Sequence, residues 1–300
     1  MATILIAGGT GLIGTRLQQI LSSYFTVKVL SRNKSICNNS TLFYWNPDNL
    51  EISSLAFENV TCVINLSGEN ISNKRWSHSQ KEKIQKSRIL STQTLAQGIQ
   101  KYGTSVTTYI SSSAIGYYGY NSNKKMFEEN DVPGNDFLAE TCKIWEEEAM
   151  RIENLGIKTI IIRTGIVISK HGGMLHKILK LIPFRMIPVF GKGTNIIPWI
   201  HIDDMCAIYK FAIENNSLQG IYNAVANNCS QLEFIQTIQH AYKKKTVLFH
   251  IPIVLLKSIL GEMATILITG NAISNTKIIE AGFSFKYTNT IKALEKEICN

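Results

Sequence analysis

The feature that most constrains this chain is a glycine-rich loop set between a short apolar run and a helical pattern near its start. Thr3 to Ala7 is apolar without alternation, as in a strand covered on both faces. Gly8-Gly9-Thr10-Gly11-Leu12-Ile13-Gly14 follows. Leu12, Leu17, Ile20 and Leu21 then recur at helical spacing, and Val27 to Leu30 returns to strand character. This is a βαβ unit. The glycines at 8, 11 and 14 leave no side chain where the backbone turns tightly, approaches a pyrophosphate and packs helix against strand. Free N–H groups at the helix start then face the anion. An ordinary tight turn can carry the same glycines, but here the flanking strand, helix and second strand supply the context that a dinucleotide-binding loop requires. Gly8, Thr10, Gly11, Leu12, Ile13 and Gly14 are the expected phosphate-side contacts.

Cys62 to Leu66, Thr107 to Ser111 and Thr159 to Arg163 read as further strands, each separated from the last by enough chain for a helix. Such alternation implies a parallel sheet with right-handed crossovers. Helical periodicity is strongest at Ser77 to Tyr102 and Asp136 to Asn154, the latter with Asp136 and Glu140 near its start and Gly156 as a stop. The expected fold is α/β, a doubly wound parallel Rossmann sheet. Beyond about Ile221 the rhythm weakens, and Phe249 to Lys292 reads as a smaller α-rich cap. We therefore expect a nucleotide-binding Rossmann domain over residues 1–225 and a small C-terminal, substrate-side region over 226–300.

At the end of the second strand, an acidic residue selects the ribose 2′-hydroxyl of NAD, whereas an arginine accommodates the 2′-phosphate of NADP. This chain has Ser31 and Arg32 there. No carboxylate stands at that point to repel a phosphate, and Arg32 offers it a charge-assisted fork, so NADP(H) is the expected cofactor. The excess of 31 Lys and Arg over 22 Asp and Glu, a formal +9, also favours encounter with an anion. Those basic residues are scattered, with short clusters at Lys124-Lys125 and Lys243-Lys244-Lys245, and form no stripe interleaved with aromatics; no nucleic-acid partner is expected. Cys37, Cys62, Cys142, Cys206, Cys229 and Cys299 show neither CxxC pairing nor regular spacing. That pattern argues against zinc and disulfide frameworks and for a reducing, cytoplasmic setting. Ala2 to Ala7 is too short for a signal-peptide core and reads as a strand. Ile251 to Gly270 is the most apolar stretch, but Pro252, Lys257, Gly261 and Glu262 interrupt it. A membrane span needs about 20 apolar residues with few charges, so a buried or pocket-lining helix is expected instead.

The motifs GGTGLIG at Gly8 to Gly14, SR at Ser31 and Arg32, NLSGENI at Asn65 to Ile71, and RW at Arg75 and Trp76 fall in this frame. So do SRILST at Ser87 to Thr92, SSSAIGYYG at Ser111 to Gly119, PGNDFLAETCKIWE at Pro133 to Glu146, WIHIDD at Trp199 to Asp204 and LGEMA at Leu260 to Ala264. Together they resemble the atypical extended short-chain dehydrogenase/reductases of the epimerase family, a NAD-dependent epimerase/dehydratase domain followed by a C-terminal domain of unknown function. The resemblance covers essentially the whole chain. It implies that Asn65, Leu66, Ser67 and Gly68 line the adenine and ribose side of the cofactor. Arg88 falls where the superfamily usually has an Asn beside the cofactor, and Ser111 joins the cofactor-lining set. Ser113 matches the serine that hydrogen-bonds a substrate carbonyl or hydroxyl, and Arg163 to Val167 matches the backbone passing the nicotinamide.

One part of that pattern is missing. Ordinary members carry a Tyr and, four residues on, a Lys on one helix face; the Lys lowers the Tyr pKa and the Tyr acts as acid or base. Aligned on Glu146, these positions hold Leu138 and Cys142; a shift by one gives Ala139 and Lys143, recovering the lysine without the phenol. Two readings follow. In the first, the chain is an NADP-dependent oxidoreductase or epimerase acting on an unidentified small molecule, with its acid–base group drawn from Ser113, Tyr117, Tyr118, Glu69 or His201. Ser113, Tyr117 and Tyr118 lead, because they lie at the carboxyl end of a strand where ligands bind in open α/β sheets. In the second, it is a sensor or scaffold that holds NADP(H) without turnover. Cys142 reads as an inert buried thiol. Trp199, Phe249, Phe283, Phe285 and Tyr287, with Ile251 to Ile268, are expected to wall an apolar pocket, and Asn271 and Asn275, where the family pattern has Gln and Pro, to touch it. A monomer or homodimer is expected.

Overall fold

The computed structural model describes residues 2–37, 40–120, 125–242 and 245–299; Lys124, Lys243 and Lys244 of the basic clusters lie outside the described residues. Strand β1 (Thr3–Ala7) is buried at every position, which is why its sequence is apolar without alternation. It is joined by β2 (Thr26–Ser31), β3 (Leu42–Asn46), β4 (Glu51–Ile52), β5 (Val60–Asn65), β6 (Thr108–Ala114), β7 (Lys158–Thr164) and β8 (Gly220–Ala224). The eight lie in the order β8-β7-β6-β5-β1-β2-β3-β4, with every pairing parallel except β3 with β4. The doubly wound α/β sheet expected from the sequence is therefore present. Its strand order reverses between β1 and β5, and ligands of such sheets bind in the crevice beyond the carboxyl ends at that point.

Alternate residues of the same strands feed two core layers, as the pleat requires. Ile4, Ile6, Ile64, Ile110 and Ile160 pack on one face with Leu17 and Leu21 of helix α1 (Leu12–Leu21). Leu5, Val63, Tyr109 and Ile161 pack on the other with Leu95 and Ile99 of α2 (His78–Tyr102) and Ala149 of α3 (Phe137–Met150). The caps are local. Ser77 accepts the Gln80 N–H to start α2, and Asp136 accepts those of Leu138 and Ala139 to start α3. The chain leaves the turn after α3 at Gly156, whose φ of 76° suits glycine.

The C-terminal residues extend the first core layer. Phe234, Ile235, Ile238, Ala293 and Leu294 belong to the same apolar cluster as Ile160 and Ile162. Asn227–Ser230 pairs antiparallel with Ile196–His201, which pairs parallel with Ile166–Ile168. The apolar stretch after Ile251 is not one buried helix. It breaks into Ile253–Leu260, a 3-10 turn over Gly261–Ala264 and Thr265–Ile268, because Gly261 turns the chain at a φ of 61°. Leu256 is the sole buried residue of the first segment. Among the described residues, no helix is long and apolar enough to cross a membrane.

Candidate functional site

The glycine loop joins β1 to α1, and its glycines answer different demands. A Cβ on Gly8, at φ +80°, would lie 2.7 Å from the Leu66 carbonyl carbon, and one on Gly14 would lie 2.4 Å from the Gly8 oxygen. These two are fixed by packing. A Cβ on Gly11 would meet the Gly8 oxygen alone, at 3.3 Å, so this position keeps the space above the loop clear. Gly11 caps α1 with no side-chain acceptor, and the first turn holds no acidic residue. The first-turn N–H groups are thus left for an anion, with the positive end of the helix dipole behind them. Backbone geometry, bare helix start and cleared space all fit a bound diphosphate.

Beside the loop runs a groove of about 210 Å³, lined by Gly8, Thr10, Gly11, Ser31, Arg32, Leu66, Ser67, Gly68 and Glu69, with Trp45, Pro47 and Asp48 on its far wall. The exposed Arg32 makes no ion pair among the described residues, and Ser31 Oγ accepts the Asn33 N–H at 3.1 Å. The far wall was not anticipated. Its signal was the WNPDN run at the end of β3, where Asn46 caps a 3-10 turn that presents Asp48. Asn65 acts from below: its Oδ1 accepts the Ser67 N–H at 3.1 Å, while Nδ2 donates to Thr92 and Tyr109. Leu12, with Thr10 and Gly11, borders a second hollow on the loop's other side, with Arg16, Lys170 and His171.

The groove adjoins a cleft of about 270 Å³ between α3, the end of β7 and the segment 265–273. Leu138, Thr141, Cys142 and Trp145 project into it from one face of α3, so the frame anchored on Glu146 is the one that faces the cleft. Ala139 is buried elsewhere, and Lys143 is exposed beside Glu147. Burial pushes the Cys142 thiol up to about 12, so it stays protonated at neutral pH. Arg88, Ala114, Thr164, Gly165 and Asn271 also line the cleft.

The expected acid–base candidates are seated elsewhere. Ser113 Oγ donates to Glu146 Oε1 at 2.6 Å, and Arg163 grips the same carboxylate through Nε at 2.9 Å and Nη2 at 2.8 Å. Arg163 Nη1 donates to the Tyr118 hydroxyl at 3.0 Å, which in turn donates to Asn223 Oδ1 at 2.7 Å. The Tyr117 ring lies 3.4 Å from the Arg163 guanidinium carbon. Burial pushes the Tyr118 phenol up to about 12 despite Arg163 beside it. Ser113, Tyr118 and Arg163 therefore form a buried bracket between β6, β7 and α3 with the half-buried Tyr117 stacked on its edge, and none of the four lines the cleft; Tyr117 faces a separate surface hollow beside Lys143 and Glu147. Ser111 is buried within β6, its Oγ on the Ser112 carbonyl, and Val167 and Ile13 line neither groove nor cleft. His201 is buried, accepts the Asp203 N–H to cap the helix Ile202–Glu214, and lies 3.2 Å from Glu297 through Nε2. Glu69 borders the groove beside Lys83.

The expected aromatic wall is also corrected. Trp199, Phe283 and Tyr287 are core residues, and neither Phe249 nor Phe285 reaches the cleft. Ile196, Pro198, Ile266 and Ile273 wall it instead. Asn271 lines it and donates to the Gly119 carbonyl at 2.5 Å, whereas Asn275 binds the Val225 and Ala226 carbonyls.

Known proteins share this arrangement. Residues 4–224 match the model of the NAD dependent epimerase/dehydratase family, and residues 251–297 match a domain of unknown function, DUF1731. An epimerase family protein of Mycobacterium leprae is 31% identical over 297 residues, covering 98% of this chain and 94% of the relative. A chloroplastic SDR39U1 homolog of Arabidopsis thaliana is 32% identical, covering 97% of this chain and 85% of the relative. The crystal structure of human epimerase family protein SDR39U1 with NADPH superposes with a TM-score of 0.89 at 26% identity, covering 99% of each chain. With residues 4–224 matching its model and relatives 31–32% identical over nearly the whole chain, the chain belongs to the NAD dependent epimerase/dehydratase family.

Proposed function

We propose that the chain is a cytoplasmic NADP(H)-binding oxidoreductase that acts on a small, largely apolar molecule without a Tyr–Lys proton relay. The observation that carries this reading is the junction of a complete phosphate loop and groove with a cleft into which Leu138 and Cys142 project. The first-turn N–H groups of α1 hold the diphosphate, and Arg32 pairs with the 2′-phosphate. When bound, the nicotinamide supplies or accepts a hydride. Apolar walls from α3 and residues 265–273 line the space for the reacting molecule, and with no phenol–lysine pair in the cleft the proton that balances the hydride would come from solvent. The NADPH in the human relative's structure supports the choice of cofactor. A second reading, in which NADP(H) is held without turnover, is favoured by the same Leu138 and Cys142.

Calorimetry with NADPH and NADH tests the cofactor. Arg32→Ala is expected to weaken NADPH roughly tenfold, about the value of one charge-assisted contact at an exposed site, and to leave NADH unchanged. Equal losses for both would remove the assignment. NADPH oxidation with a panel of carbonyl compounds separates the two readings: saturable cofactor binding without oxidation by any of them selects the second.

A further inference from the structure

Arg88 has no part in the phosphate loop or the groove beside it. It sits on α2 and lines the cleft, not the dinucleotide groove. Its Nη1 donates to the carbonyls of Ile84 at 2.8 Å and Glu69 at 3.2 Å, and its guanidinium lies over the Trp145 ring at 5.0 Å. The plane of the fork is thereby fixed from two sides. Nε and Nη2 make no hydrogen bond among the described residues, and the side chain makes no ion pair there. The nearby Glu69 carboxylate is already shared between Gln80 at 3.4 Å and Lys83 at 3.8 Å.

The other charged residue of the lining, Asp136, is committed to the N–H groups of Leu138, Ala139 and Tyr120. Around Arg88 the walls are Ile71, Ile115, Leu138 and Ile266. Gly68 leaves room for the guanidinium, since a Cβ there would come within 3.2 Å of its carbon. The Glu69 carboxylate acts on this cation through space without a hydrogen bond to it, and a half-desolvated cation so placed is costly unless a ligand anion pairs with it directly. An arginine held through Nη1 presents its remaining edge, Nε and Nη2, in the spacing of a carboxylate's two oxygens.

We propose that the cleft binds a small, largely apolar carboxylate, its two oxygens paired with Nε and Nη2 of Arg88. The proposal rests on the reading of this cleft as the small-molecule site and names the chemical class of its occupant. The full chain saturated with NADPH is titrated by calorimetry with 3-phenylpropionate and with its neutral analogue 3-phenylpropionamide. The acid is expected to bind roughly ten- to hundred-fold tighter than the amide. Arg88→Met is expected to remove that preference, Arg88→Lys to retain part of it, and both to bind NADPH within about threefold of the parent. Equal binding of acid and amide, no binding of either to an NADPH-loaded chain, or a preference that survives Arg88→Met overturns the proposal. Loss of NADPH binding in Arg88→Met also overturns it and assigns Arg88 to the cofactor. If the parent chain binds no NADPH, the cofactor reading fails, and the same titrations on the free chain still decide the role of Arg88.

Discussion

Glu146→Ala is expected to destabilise the fold strongly while leaving the dinucleotide groove intact. The Glu146 carboxylate accepts from Ser113 Oγ at 2.6 Å and from two nitrogens of Arg163 at 2.9 and 2.8 Å. The Arg163 and Glu146 side chains are 1% and 6% exposed, so neither can recover water when its partner is removed. Breaking such a pair from one side costs about 3–5 kcal/mol, a large share of the roughly 5–15 kcal/mol that holds a domain folded. Ser113→Ala removes one hydrogen bond to a charged acceptor and is expected to cost about 1.5–3 kcal/mol. The paired replacement Glu146→Leu with Arg163→Met removes both charges and is expected to recover most of the loss, because the penalty lies in the uncompensated ion. Urea unfolding followed by tryptophan fluorescence measures the stabilities, with NADPH affinity taken in parallel. Glu146→Ala within about 1 kcal/mol of the parent would refute the reasoning. So would a Ser113→Ala chain that keeps full stability but loses function, since that result would return Ser113 to the reacting site.

Three further outcomes follow from the geometry. Gly11→Val places its side chain in the cleared space and is expected to abolish binding of both pyridine nucleotides while changing unfolding free energy by less than about 1 kcal/mol; Gly14→Ala, whose Cβ meets the Gly8 oxygen at 2.4 Å, is expected to lose about 1–3 kcal/mol as well. Calorimetry with unfolding curves checks both, and nucleotide binding by Gly11→Val would contradict the loop assignment. Burial raises the Glu297 pKa, but the His201 ring 3.2 Å away and the hydrogen bond from the Lys170 N–H outweigh it, leaving the carboxyl below its ordinary 4.5. A lowered acid gives stability that is whole above the unfolded pKa and lost as pH falls through the folded one, so Glu297→Gln is expected to flatten the acid limb of a stability–pH curve below about pH 4.5. An unchanged limb counts against that pairing.

The half of the sheet around β1 was legible because its strands are buried on both faces and glycines mark the turn between them. β3 and β4 were missed. LFYWN buries alternate residues at the sheet edge, a weaker signal than the continuous run of β1. The cleft's α3 face was readable from the Glu146 anchor, since helical spacing puts Leu138 and Cys142 together. The destinations of Tyr117 and Tyr118 were not readable. Their position past β6 is the right end of the sheet, but a 3-10 turn over Ile115–Tyr118 directs them to Arg163, 45 residues away from Tyr118. Trp199, Phe283 and Tyr287 show the same limit, because an aromatic buried in a core and one facing a ligand carry the same local pattern.

The identities at 88 and 142 are electrostatically linked. Arg88 and Cys142 are near enough that each perturbs the other's proton affinity. A lysine at 142 would set a second cation beside Arg88 in a half-desolvated cleft, where like charges repel far more than in water. The superfamily's Asn and Lys at these two positions carry one positive charge between them, and Arg88 with Cys142 carries one as well, moved from α3 to α2. The catalytic lysine is therefore absent without the cleft having lost its charge. On α3, that charge would tune a neighbouring phenol; on α2, over Trp145 and with Nε and Nη2 free among the described residues, it stands where the proposed carboxylate would bind. The departure from YxxxK thus reads as a change in what the cleft binds, made in a chain whose glycine loop still leaves the space above Gly11 clear.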